Sequence, residues 1–302
     1  MRRPTLLAFP LLAALAGCEP AHEPITAEDH NAQVEAWRAR RYETLRQPVG
    51  WLSLVGLFWL EDSTATFGAA ADNDFAYASP GPGFPGRAGT FRLHGDSVTF
   101  VADAGARVTR DDAPVESILL APDTTSPMLQ SGSVRWTVIR RSGRVAIRAW
   151  DEESPVRTTF AGIDAWPVDL RWRFPARFIV KNPPDTLEIP NVLGGANRTP
   201  SPASVAFEIA GEEYELALWK DSDDLANFFT AFGDRTNGGI SYGGGRYLWV
   251  DAPDEHGRTI VDFNRAYNPP CVFTEFATCP LPPRANRIPI PIEAGEKVWA
   301  MK

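Results

Sequence analysis

Ser204-Val-Ala-Phe-Glu-Ile-Ala-Gly-Glu-Glu-Tyr-Glu-Leu-Ala-Leu-Trp219 decides the fold class. In Phe207-Glu208-Ile209 and in Glu213-Tyr214-Glu215-Leu216, polar and apolar residues alternate, as they do in a half-buried strand. Gly211-Glu212 supplies the turn, so the segment predicts a hairpin. The same pattern recurs upstream: Thr90–Leu93 and Ser97–Val101 flank His94-Gly95-Asp96, and Val134–Arg140 and Arg144–Trp150 flank Ser142-Gly143. Downstream, Arg246–Val250 and Thr259–Phe263 around Asp251–Gly257 predict a fourth hairpin. Gly50-Trp-Leu-Ser-Leu-Val-Gly-Leu-Phe-Trp-Leu60 is apolar and short, which suits one buried strand or two. Leu225–Phe232 fits helix or strand equally. The body is therefore expected to be mainly β, an antiparallel sandwich or open barrel built from hairpins.

One N-terminal α-helix precedes it. Thr26 followed by Asp29 is a capping-box-like start, and Pro48 marks the end. Val34, Trp37 and Leu45 fall on one face. Arg38, Arg40, Arg41 and Glu43 are expected to solvate the remainder.

The N-terminus speaks to location. Arg2 and Arg3 precede an apolar run, Thr5–Ala16, too short to span a bilayer. Residues 1–17 read as a signal peptide. Leu15-Ala16-Gly17-Cys18 resembles a bacterial lipoprotein lipobox. The resemblance implies acylation of Cys18, a tether over 18–25, export, and a lipid bilayer partner at the cell envelope. That leaves Cys271 and Cys279. In an exported chain a disulfide is favoured over free thiols or a two-cysteine metal site. The histidines His22, His30, His94 and His256 show no ligand spacing, so no metal and no cofactor is expected.

The net charge of −8 and pI near 5.1 argue against nucleic acid and against a polybasic grip on anionic lipid. Ten tryptophans are read first as core filling, although such residues also line sugar sites. Pro122–Pro127 is read as the junction between an N-terminal unit over 26–125 and a larger β unit over 126–302.

Chemistry concentrates near the C-terminus. Alternation across Val261–Arg265 sends Asp262 and Asn264 to one face, with Arg265, Tyr267 and Asn268 beyond. Arg246, on the partner strand of the expected hairpin, would pair with Asp262, and Asp234 and Tyr242 precede it. These eight side chains suit directed hydrogen bonding to a small polar or carbohydrate-like ligand. They equally suit an acid or base, Asp234 or Asp262, beside a charge stabiliser, Arg246. They also suit plain scaffolding, since buried Asn and Asp commonly satisfy loop backbone. Gly239-Ile-Ser241-Tyr-Gly243 fits the serine-hydrolase spacing, but the strand–turn–helix context is missing. Lys220-Asp-Ser-Asp-Asp224 lacks the glycine and distal glutamate of a calcium loop.

Asp262-Phe-Asn-Arg-Ala-Tyr-Asn-Pro-Pro-Cys271, Cys279-Pro-Leu-Pro-Pro283, Asn286-Arg287 and Ala294-Gly295-Glu296 resemble an uncharacterised bacterial and archaeal family, domain of unknown function 1684. Gly50–Leu60, Phe67-Gly68, Phe232-Gly-Asp-Arg-Thr236 and Tyr242-Gly-Gly-Gly-Arg246 resemble its other blocks, so the likeness runs from about Trp37 to the end. It implies a shared fold and brings no activity. Thr66-Phe-Gly-Ala-Ala-Ala-Asp-Asn-Asp74 resembles the opening of forkhead-associated sandwiches. Ala69 stands where those carry a phosphate-binding arginine, which argues against phosphopeptide binding. The expectation is an envelope lipoprotein with a β-lined ligand pocket. The alternatives are a hydrolase using Asp234 or Asp262 with Arg246, and a structural or partner-binding lipoprotein with no small ligand.

Overall fold

The computed structural model describes residues 25–61, 63–95, 97–122, 126–141, 143–220 and 226–300. The expected signal peptide, Cys18 with the expected tether up to residue 24, and the acidic run 221–224 lie outside the described residues.

Helix α1 (Ala27–Leu45) starts as the capping pattern requires. Thr26 Oγ1 accepts from Asp29 N at 3.0 Å and donates to Asp29 Oδ2 at 2.7 Å. Val34 and Leu45 are buried. No described helix is long and apolar enough to cross a membrane.

Eleven strands follow: β1 (Leu54–Trp59), β2 (Thr64–Gly68), β3 (Phe75–Ala76), β4 (Gly89–His94), β5 (Ser97–Ala102), β6 (Thr109–Arg110), β7 (Ala113–Pro114), β8 (Ser117–Leu120), β9 (Leu129–Ser131), β10 (Val134–Arg141) and β11 (Arg144–Asp151). They form a six-stranded sheet, β1-β11-β10-β9-β6-β7, and a five-stranded sheet, β3-β2-β4-β5-β8. All pairings are antiparallel except the short β2–β3 pair. The two sheets share one core. Trp136 of β10 sits edge-on to Phe67 of β2 at 5.3 Å and to Phe100 of β5 at 5.5 Å, all fully buried. This is sandwich packing. Strands from both sides of the expected junction at 125/126 share this layer, because β11 pairs with β1 and β9 with β6.

The second half holds β12 (Arg173–Pro190), β13 (Ala196–Ile209), β14 (Glu212–Leu218), β15 (Phe228–Phe232), β16 (Arg246–Val250) and β17 (Arg258–Asp262). The alternating segment Ser204–Trp219 contains the β13–β14 hairpin, with Phe207 opposite Tyr214 and Val205 opposite Leu216. Its apolar faces meet Phe232, Leu248, Phe263, Ile288 and Ile292 in a second core. The fold is mainly β and antiparallel, as expected.

One hairpin is corrected. β16 pairs with β15, and β17 pairs with β12, so Arg246–Val250 and Thr259–Phe263 are not hydrogen-bonded partners. The connection Asp251–Gly257 is too loose to hold the two strands in register, whereas β12 offers β17 a long free edge.

Candidate functional site

The strand carrying the motif ends earlier than alternation suggests. β17 stops at Asp262, and Phe263–Arg265 turn into a 3-10 helix. Asp262 caps it, its Oδ1 accepting from Asn264 N at 3.1 Å and Asn264 Nδ2 at 2.9 Å. Asp262 and Asn264 therefore meet through a cap rather than as same-face strand neighbours. Asn264 is fully buried, and its amide closes a ring with Asp169. Oδ1 accepts from Asp169 N at 2.9 Å and Nδ2 donates to Asp169 O at 2.9 Å.

Arg246 does not reach Asp262. Its Nη2 donates to Asp234 Oδ2 at 2.8 Å, with both side chains sealed from solvent. Nη2 also meets Ile292 O at 2.8 Å, and Nη1 donates to Ala294 O. The guanidinium lies between the Trp166 and Phe232 rings, at 5.1 and 5.3 Å. Burial lowers its pKa against the pull of Asp234. Asp234 Oδ1 accepts from Thr236 N and Thr236 Oγ1. The close backbone approach behind this pair requires Gly245, whose φ is +85°. A Cβ there would sit 2.4 Å from Pro282 and 2.6 Å from Phe232 O.

Asn268 donates from its main chain to Glu296 Oε2 at 2.7 Å and from Nδ2 to Lys297 O at 2.7 Å. Tyr267 exchanges backbone hydrogen bonds with Tyr247, and Arg41 lies 4.5 Å over its ring. Arg265 stands 3.8 Å from Asp262 and is about a third exposed. Tyr242 is half-buried, its ring against Gly244. Ser241 is buried and bonded to Thr236 Oγ1 at 2.7 Å and Asn237 Nδ2 at 2.8 Å. His256 and Asp254 instead engage Glu255 and Arg258 in an exposed turn. Cys271 and Cys279 form a disulfide. No metal-holding group of three or more acids, histidines or cysteines occurs among the described residues.

Helix α1 supplies the missing partners, and two of them, Arg38 and Arg41, come from residues expected to be solvated. His30 Nε2 donates to Asp262 Oδ2 at 2.8 Å, and both are buried. Arg41 grips Glu296 at 2.5 and 3.1 Å and donates to Asn268 O at 3.1 Å. Arg38 donates to Trp166 O at 3.0 Å, and the Tyr42 hydroxyl to Ile163 O at 3.0 Å. Sequence reasoning missed His30, Arg38, Arg41 and Glu296 as site residues. A signal was present: His30, Val34, Trp37, Arg41 and Leu45 are spaced 4, 3, 4 and 4, one continuous helical stripe.

Two cavities open elsewhere. One of about 220 Å³ lies beside Tyr42, Phe160, Gly162 and Trp299, and one of about 330 Å³ beside Lys181, Ser204 and Glu215. None of Asp234, Tyr242, Arg246, Asp262, Asn264, Arg265, Tyr267 or Asn268 lines either.

Residues 158–297 match the profile of a family described as protein of unknown function (DUF1684). The chain carries a DUF1684 domain. Asp234, Arg246, Asp262, Asn268, Glu296 and the disulfide all lie within the DUF1684 domain. Helix α1, which supplies His30 and Arg41, lies outside it, as does the resembling block Gly50–Leu60. A solution NMR structure of an uncharacterized protein of Haloarcula marismortui is 28% identical, covering 47% of this chain and 78% of that one, with a TM-score of 0.40. No curated protein matches the chain.

Proposed function

We propose that the chain is an exported protein held at the bacterial envelope through acylated Cys18. It acts there as a structural or partner-binding lipoprotein, with no small ligand in the C-terminal block. The lipobox-like Leu15–Cys18 supports export and anchoring, and so does a disulfide, which suits an oxidising compartment. One observation carries the role. Apart from Arg246 Nε and Asn268 Oδ1, which are buried without a partner, the polar atoms of Asp234, Arg246, Asp262, Asn264 and Asn268 are spent on one another, on α1 and on main chain. A pocket floor needs polar groups left over for a ligand.

Two measurements test this. Labelled palmitate is expected to enter the chain expressed in a bacterium and to be lost in Cys18→Ala. A thermal-shift screen against envelope sugars, peptides and divalent metals is expected to show no hit that depends on Asp262. A sugar that raises the Tm of the native chain but not of Asp262→Asn would reinstate the ligand pocket.

A further inference from the structure

Arg148 stands where an arginine is costly. It projects from β11 on the outer face of the six-stranded sheet, opposite Leu57 of β1 and Thr137 of β10. Only 9% of it is exposed, and its Nε is sealed without a hydrogen-bond partner. Among the described residues its side chain has no ion pair and no hydrogen bond. Among the described residues its cation–π contact is the Trp51 ring, 5.9 Å away. Burial first, and then the like charge of Arg141, push its pKa down to about 10.

Buried ions are normally paired, because an unpaired one keeps its full desolvation penalty. The chain has acids in excess, with a net charge of −8. None of the described ones is placed against Arg148. The surroundings are those of a receptor rather than a core. Trp51 is 37% exposed, Leu57 and Trp59 are half-buried, and Arg141 is exposed beside them. Arg144 is already held by Glu61 and stacked 4.2 Å over Trp59. Two neighbouring guanidiniums without acids suit a dianionic group, and the planar fork matches two of its oxygens at once.

We propose that this face binds a phosphate group, carried by a soluble ester or by a lipid headgroup, with Arg148 and Arg141 as its cations and Trp51 as the flanking wall. The site lies outside the DUF1684 domain and goes beyond the structural role above without depending on it.

The test uses the full chain in maltoside micelles, read by tryptophan emission and by Tm. The probes are inorganic phosphate at constant ionic strength, and micelles doped with phosphatidic acid or, as control, with diacylglycerol. The native chain is expected to show a saturable response. Arg148→Met is expected to abolish it while leaving the phosphate-free Tm at or above that of the native chain. The exposed Arg141→Gln is expected to weaken it several-fold. A response to inorganic phosphate alone assigns a soluble ester, and a response to phosphatidic acid alone assigns a headgroup. No saturable response to either probe overturns the proposal. So does a response that both variants retain, or an Arg148→Met Tm well below native in the absence of phosphate.

Discussion

His30 of α1 and Asp262 at the end of β17 form a buried pair 2.8 Å apart, although 232 residues separate them in sequence. The pair joins a helix outside the DUF1684 domain to the first residue of the motif inside it. Asp262 also caps the 3-10 turn that follows, so one carboxylate fixes both the helix and the strand end. Truncating it strands the His30 N–H and the Asn264 amide. Asp262→Ala is expected to cost about 3–5 kcal/mol, measured by urea unfolding. A loss below about 1 kcal/mol would mean that the pair contributes no more than a surface contact.

The Arg41–Glu296 clamp should behave as a coupled unit. Glu296 is buried, and both oxygens are in use, on Arg41 and on the Asn268 N–H. Arg41→Ala and Glu296→Gln, taken with their double variant, should give a coupling energy of about 1–3 kcal/mol. Additivity of the two losses would refute the clamp.

Asp234 and Arg246 are sealed together, so removing either leaves an unpaired buried group. Asp234→Ala should destabilise by about 3–5 kcal/mol. Replacing both with apolar residues of similar volume should recover much of that loss, as judged by Tm. Failure of the double variant to exceed the single one would show that the pair matters mainly through its main-chain contacts.

Opening the Cys271–Cys279 bridge releases a short loop. By the loop-entropy relation, reduction should cost about 2.5 kcal/mol. Unfolding with and without reductant measures this, and labelling of the unreduced protein should find neither thiol free.

Asp74 offers a pH test at an exposed site. The Thr66 N–H and hydroxyl donate to its Oδ2 and hold its pKa below the ordinary carboxylate value. A depressed carboxylate pKa stabilises fully above the unfolded value, and the benefit fades as pH falls through the folded one. Thr66→Val should move the Asp74 titration upward, toward the ordinary value, in an NMR pH series. An unmoved midpoint would assign the shift to the Thr66 N–H, which valine keeps.

Much of the fold is local enough to read directly. The Thr26–Asp29 cap, the β4–β5, β10–β11 and β13–β14 hairpins and the mainly β character follow from contacts within a few residues of each other, where period and turn chemistry act. The disulfide was expected from the two cysteines left once the lipobox resemblance claims Cys18 in an exported chain. The hairpin misread at Arg246–Phe263 had a loose connection, and its strands were claimed by β15 and β12.

The candidate site was legible as residues but not as pairs. Asp234, Arg246, Asp262, Asn264 and Asn268 stood out because core packing alone does not call for such groups together. Their partners were invisible, because an ion pair is set by which elements dock, and docking is a global outcome of burial. The sequence by itself determined the element types, the turns, the cysteine count and the polar inventory, each resting on near neighbours and composition. Only the tertiary structure decided that Arg246 meets Asp234, that Asp262 meets His30 and that Arg148 meets no described carboxylate. A buried charge takes its partner from whatever the fold brings within 3–4 Å, however far away that residue lies in sequence.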